Sequence, residues 1–263
     1  MRVTQVDPAG FVDQESEPAH GRGAWNRTGI DFDYRYALAP TKEQRIGTRC
    51  EESLAHWAVG AGCLAIQRRL AVLGFYEMQS AQRGVFNSRM KNAVKAFQAQ
   101  NTDPMTGAQL LQDGTVGITD ARSLFTPVIL KVESKYNIPD KLLLGETVHE
   151  SALDPGAVGY FIYYPDYRGV DRGMSQINSL ANPTVSWMDA FSPTYALDWS
   201  GRRLRTIYNQ YKSQYPATDD TELWNAAVCS HNNPSAGRAW ARDGYPPTTD
   251  AAKYVQAVRN AVY

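Results

Sequence analysis

Little in this chain points toward a metal, a membrane or a nucleic acid. Only three of its 263 residues are cysteine: Cys50, Cys63 and Cys229. They show no C-x-x-C spacing, so zinc-type clustering is absent, and an odd number cannot close a disulfide framework; reduced, partly buried thiols are expected. No apolar run approaches the length of a membrane span, and the opening stretch Met1 to Pro8 has no apolar core of signal-peptide length. The expectation is a protein made soluble in the cytoplasm, without a visible export signal and without stable membrane insertion. Neither sign of charge is in excess. Lys plus Arg and Asp plus Glu both total 27 and are mixed along the chain, which leaves no basic arm for nucleic acid and no acidic tail. No cofactor is called for, and nothing in the pattern sets an oligomeric state.

What the sequence does have is apolar material for real cores and a change of texture along its length. Residues 1–47 are rich in Pro, Gly, Asp and Arg and lack helical periodicity, reading as loop with one strand, Ile30 to Tyr36, where apolar and charged residues alternate. A packing extension, an attachment arm and a linker all fit this segment. In residues 48–126 short helices are punctuated by glycine. Leu64, Ile66, Leu70 and Leu73 mark one apolar face that Gly74 ends, Ala93, Val94 and Phe97 mark a second helix capped near Asn87-Ser88, and Asp120 to Phe125 reads as a third, short one.

Residues 127–263 read as mainly helical. Val128, Ile129, Val132 and Tyr136 recur at helical spacing, and Pro139-Asp140 starts a helix whose Leu142, Leu143 and Leu144 lead to Glu146 and Glu150, one turn apart on one face. Leu204, Ile207, Tyr208 and Tyr211 mark a further helix. Asp219-Asp220 cap another with Leu223, Trp224, Ala227 and Val228, and Tyr254, Val255, Val258 and Val262 mark the last.

Glu150 is the first candidate for chemistry. Cleaving a glycosidic bond needs a proton delivered to the leaving oxygen, hence a carboxylic acid kept protonated near neutral pH, and a helix end among apolar residues is a suitable place for one. A solvated glutamate at a helix terminus is the ordinary alternative. A zinc-protease reading of His149-Glu150 fails, because the second histidine it needs is Leu153.

Several ordered strings carry a resemblance to known families. Ile66-Gln67, Leu70, Leu73-Gly74-Phe75-Tyr76, Gly84-Val85-Phe86, Ala93-Val94, Phe97-Gln98 and Asp113-Gly114-Thr115-Val116-Gly117 with Leu124 resemble the three-helix peptidoglycan-binding domain of bacterial and phage wall hydrolases. Asn87 departs from the glycine usual after the Phe, and the stretch between Gln100 and Asp113 is longer than usual. The resemblance implies binding of wall glycan or stem peptide, a spacer role being the alternative, since most of these residues are core and turn positions.

Downstream, Glu150-Ser151 with Leu153-Asp154-Pro155, then Gly173-Met174-Ser175-Gln176, Ser230-His231-Asn232 and Tyr254-Val255 look like the successive motifs of the soluble lytic transglycosylases. His231 stands where that family has Tyr. The resemblance implies a lysozyme-like, α+β catalytic domain dominated by helices. It implies Glu150 as acid and then base, Ser151, Gln176 and Asn232 as substrate contacts, and Tyr254 as a hydroxyl positioning the acid. A loop-satisfying amide for Gln176 and Asn232 and a core aromatic for Tyr254 are the alternatives.

The run Val170 to Ser179 is also similar to the strand and turn of animal-type lysozymes, where an Asp two residues before the Gly is the second carboxylate. Asp171 occupies that position. Opposite Glu150 it would permit hydrolysis; as a turn-ordering residue it would leave Glu150 alone, with the substrate's own 6-hydroxyl as nucleophile. The aromatic insert Tyr160 to Tyr167, Tyr164 among it, either walls a sugar cleft or forms an apolar plug.

These strings together resemble a modular phage-type endolysin, with a peptidoglycan-binding domain at residues 48–126 and a transglycosylase or lysozyme domain at 127–263. The expected partner is bacterial peptidoglycan, met after release from the host or from a virion. A tail or adaptor protein that keeps the fold and binds wall glycan without turnover is the alternative.

Overall fold

A computed structural model describes residues 61–79, 82–163 and 166–262, and four short strands within the first 31 residues; for those strands, for residues 158–170 and for Trp187 only the backbone is described. The architecture is mainly α. By internal packing the chain divides into two compact units, one formed by Met1–Thr126 with Ser151–Ala196, the other by Pro127–Glu150 with Leu197–Tyr263.

The first unit opens with β1 (Gln5–Val6), β2 (Val12–Asp13), β3 (Trp25–Arg27) and β4 (Ile30–Asp31), an antiparallel sheet in chain order. The expected strand at Ile30 to Tyr36 is seen over its first two residues, and the rest lies outside the described residues. Helix α1 (Ala61–Val72) buries Leu64, Ile66 and Leu70. Leu73, expected on that face, is 37 % exposed because the helix has already ended; Gly74 at φ +83° takes the left-handed turn that closes it. Asn87 caps α2 (Ser88–Gln100) by accepting the Met90 amide at 3.0 Å, an arrangement worth about 1 kcal/mol.

The third helix differs from expectation. Instead of a short helix ending at Phe125 and a separate one after it, α3 runs unbroken from Ile118 to Tyr136 with Pro127 inside. A proline within a helix removes one hydrogen bond. Leu124, Phe125 and Ile129 are each 1 % exposed or less on either side of it, and burial of such side chains, about 2 kcal/mol each, offsets that loss. Strands β5 (Val158–Tyr163), β6 (Asp166–Arg172) and β7 (Ile177–Asn178) form a second antiparallel sheet, followed by α5 (Trp187–Ala190).

The second unit holds α4 (Leu142–Ser151, its last residue excepted), most of α6 (Pro193–Gln214), α7 (Asp220–Asn232), α8 (Pro234–Asp243) and α9 (Thr249–Asn260). Asp219, Asn233 and Thr248 cap the last three helices. The helix expected to start at Pro139-Asp140 begins at Leu142, and its first turn is held from another helix. Glu133 of α3 caps it, its carboxylate accepting the amides of Lys141 and Leu144 at 3.0 Å each. Tyr208 stacks on Trp224 with ring centroids 4.2 Å apart, tying α6 to α7.

Candidate functional site

Helix α4 carries Glu146 and Glu150 on one face, as an i, i+4 spacing dictates. Gly145 beside them lets α9 come close: a Cβ there would lie 2.3 Å from the Val258 carbonyl oxygen. From α9 the Tyr254 hydroxyl donates to Glu150 Oε1 at 2.5 Å, and its ring meets His149 edge-on at 5.2 Å. Burial pushes the Tyr254 hydroxyl well above its ordinary value, helped by the charges of Glu150 and Glu146 and by the bond to Glu150. The phenol therefore stays protonated and serves Glu150 as a fixed donor.

One turn deeper, Glu146 is 1 % exposed. His231, the penultimate residue of α7, brings Nδ1 to 2.8 Å from Glu146 Oε1. Burial alone would lower the His231 proton affinity. The charge and hydrogen bond of Glu146, with the charge of Glu150, outweigh burial and the opposing Arg203 and raise it above the ordinary histidine value. Asn232, the next residue, is exposed at the helix end. The structure thus joins Glu150 to Tyr254 and Glu146 to His231. Glu146 stood out in the sequence by spacing and His231 only as a departure from a motif; no local pattern announces a pair so far apart in sequence.

The remaining sequence candidates belong to the first unit. Ser151 is fully buried. Asp171 sits in β6 opposite Asn178, whose side-chain amide donates to Asp171 Oδ1 at 2.9 Å. Gly173 at φ +67° begins the following turn, and a Cβ there would lie 2.0 Å from the Ala190 carbonyl oxygen, so only glycine fits. Gln176, at φ +47°, closes the turn with its amide nitrogen 2.8 Å from the Gly173 carbonyl. Arg172, for which no role was read in the sequence, is 2 % exposed and donates to the carbonyls of Ile177 at 3.1 Å and Val185 at 3.0 Å. The aromatic insert forms β5 and β6, and Tyr164 lies outside the described residues. Among the described residues no group of His, Cys, Asp or Glu is clustered to hold a metal, and no helix is long and apolar enough to cross a membrane.

Two fully buried glutamines organise the helices upstream of that turn. Gln67 accepts the Gly84 amide at 2.7 Å and donates to the carbonyls of Gln82 and Val85, both at 2.9 Å. Gln98 accepts the Gly114 amide at 2.9 Å and donates to Thr115 at 2.8 Å and Asp120 at 3.0 Å. Between the segment that follows α1 and helix α2 opens a shallow groove of about 470 Å³, lined by Phe75, Tyr76, Glu77, Arg89, Asn92 and Ala96 among others. Arg89 lies over the Tyr76 ring at 5.7 Å and pairs with the exposed Glu77 at 2.9 Å.

Residues 60–108 match the family described as putative peptidoglycan binding domain. The match includes α1, Gln67, the groove and α2. It supports a wall-binding module with peptidoglycan as partner. No curated protein matches the chain.

Proposed function

We propose that this protein is a modular wall lysin: residues 60–108 hold it on peptidoglycan, and Glu150 cleaves the β-1,4 bond between N-acetylmuramic acid and N-acetylglucosamine. The observation that carries the catalytic half is the Tyr254 hydroxyl 2.5 Å from Glu150 Oε1. A permanently protonated donor on one oxygen fixes the carboxyl and leaves the other oxygen for the substrate. Glu150 gives its proton to the leaving oxygen of N-acetylglucosamine as the bond to C1 of the muramic ring breaks. The resulting carboxylate then takes the proton of the 6-hydroxyl as that oxygen attacks C1, closing a 1,6-anhydro ring and restoring the acid. The Asn178 amide on Asp171 supports a turn-ordering role for that residue, and with it transglycosylation rather than hydrolysis. Gln176 and Asn232 are the proposed sugar contacts, with Tyr164 from the aromatic insert; the full burial of Ser151 does not support the contact expected of it.

Glu150→Gln is the test. Purified protein is expected to lose at least about a hundredfold in wall clearing, the usual contribution of a positioned acid, while still sedimenting with walls. Released fragments should carry anhydro-muramyl ends by mass spectrometry. Clearing that survives the change removes Glu150 from its role, and reducing ends lost in Asp171→Asn favour hydrolysis instead. A second reading is favoured by one fact, that the matched residues concern binding alone: a tail or adaptor protein that grips walls without turnover. Walls bound by both forms and cleaved by neither establish it.

A further inference from the structure

Glu146 is the most deeply placed carboxylate of the second unit that the proposed reaction leaves unused. It is 1 % exposed, with Oε1 2.8 Å from His231 Nδ1 and no other hydrogen-bond partner for either oxygen among the described residues. An ionised carboxylate buried in this way is costly unless a positive charge compensates it. His231 Nδ1, 2.8 Å away, is the group placed to supply it. Around this pair stand Glu150 on the same helix, Arg203 from α6, Tyr254 from α9 and the Cys229 thiol of α7. Glu150 is therefore one helical turn from a second negative charge, which an imidazolium cancels.

We propose that the Glu146–His231 pair is a positioning device for Glu150: the imidazolium neutralises the carboxylate behind the acid, so that Glu150 can release and recover its proton within each turnover. The inference rests on the reading of Glu150 as acid and base. The pair touches neither substrate nor reacting atoms in this role. Its effect is electrostatic and passes through Glu150. With His231 uncharged, Glu146 repels the Glu150 carboxylate, proton release to the leaving oxygen becomes harder, and the step in which the carboxylate must exist as an ion slows. The burial-opposing charge of Glu146 raises the proton affinity of His231 in the direction this requires.

The experiment has two arms on the full chain. In the first, the pH profile of kcat/KM for wall cleavage is measured for wild type, His231→Asn, Glu146→Gln and the double variant. His231→Asn is expected to lower the rate about tenfold and to move the alkaline limb upward by about one pH unit, as an uncompensated neighbouring charge does. The double variant, which leaves two neutral amides, should return the limb to within a few tenths of wild type and recover most of the rate. Limbs that stay in place while all three variants merely lose folded protein assign the pair a structural role and overturn the proposal. The second arm needs no activity and no variant: the His231 ring resonance of wild type, followed by NMR, should titrate with a midpoint above 6.5. A midpoint at or below that value overturns the proposal by itself. If Glu150→Gln clears walls as wild type does, the underlying assignment of the acid falls, whereas the His231 midpoint still judges the pair.

Discussion

At the scale of single residues, the buried amides and charges show why neighbouring letters in a sequence carry unequal weight. Gln67 and Gln98 are polar residues on helical faces that otherwise bury Leu70 and Phe97, yet both are fully buried. Gln67 ties the Gly84 amide and two loop carbonyls to its helix, and Gln98 the Gly114 amide and the Thr115 carbonyl, so both loops are held by buried side chains as well as by local turn chemistry. Replacing Gln67 with Ala leaves one backbone amide and two carbonyls without partners, and unfolding by denaturant is expected to show a loss of about 3 kcal/mol. A change below about 0.5 kcal/mol would mean that water satisfies those groups. Both glutamines belong to the strings that resemble the peptidoglycan-binding domain, but their bonding could not be read from composition or periodicity. His231 is the sharper case: one letter out of place in a motif, explained only by the buried carboxylate it meets.

At the scale of elements, helix ends and close approaches decide what α4 presents. Its N-terminus is held by Glu133 on another helix, and burial raises that carboxyl to about 6 from 4.5, against the opposing hydrogen bonds from the amides of Leu144, Lys141 and Leu143. The folded protein therefore binds this proton more tightly than the unfolded chain. The associated stability is fully present below pH 4.5 and is lost as pH rises through about 6, amounting to about 2 kcal/mol. Unfolding free energies of wild type and Glu133→Gln measured from pH 4 to 7 should diverge across that window, the wild type falling more steeply; parallel curves would remove Glu133 as the cause. Farther along α4, Gly145 permits the approach of α9, with the Val258 oxygen 2.3 Å from any Cβ. Gly145→Ala is expected to lower Tm and stability by about 1–3 kcal/mol, the usual penalty for overpacking, and to disturb the Tyr254 contact with Glu150. Unchanged Tm would show that α9 shifts freely. The periodicities announced both helices correctly. The continuous α3 departs from the sequence pattern because a proline normally ends a helix, and burial on both sides of Pro127 overrides it.

At the scale of the whole molecule, the residues matched to wall binding and the proposed acid Glu150 lie apart in one chain, and tethering to an insoluble substrate raises local concentration without altering any chemistry the chain performs. The groove beside α2 is lined by the aromatic rings of Phe75 and Tyr76 together with Arg89 and Asn92, a combination suited to sugar faces and to the carboxylates and amides of stem peptides. Arg89→Ala is expected to reduce the wall-bound fraction severalfold in sedimentation assays, whereas Glu150→Gln, outside residues 60–108, binds walls as wild type does. Retention that survives Arg89→Ala would place the wall contact elsewhere in the module.

The sequence by itself determined the mainly helical class, the caps at Asn87 and Asp219, the apolar faces of α1, α2 and α9, and the resemblance to a wall-binding module. These properties depend on residues within a turn or two of one another, where helical spacing and side-chain-to-backbone bonds are local. Only the tertiary structure decided that Tyr254 reaches Glu150, that His231 meets Glu146, and that Glu133 caps a helix other than its own. Such contacts depend on how closely two helices approach, which is set by the volume absent at Gly145 and by the summed packing of distant side chains. Charge pairing across that distance leaves no periodic trace in a single chain.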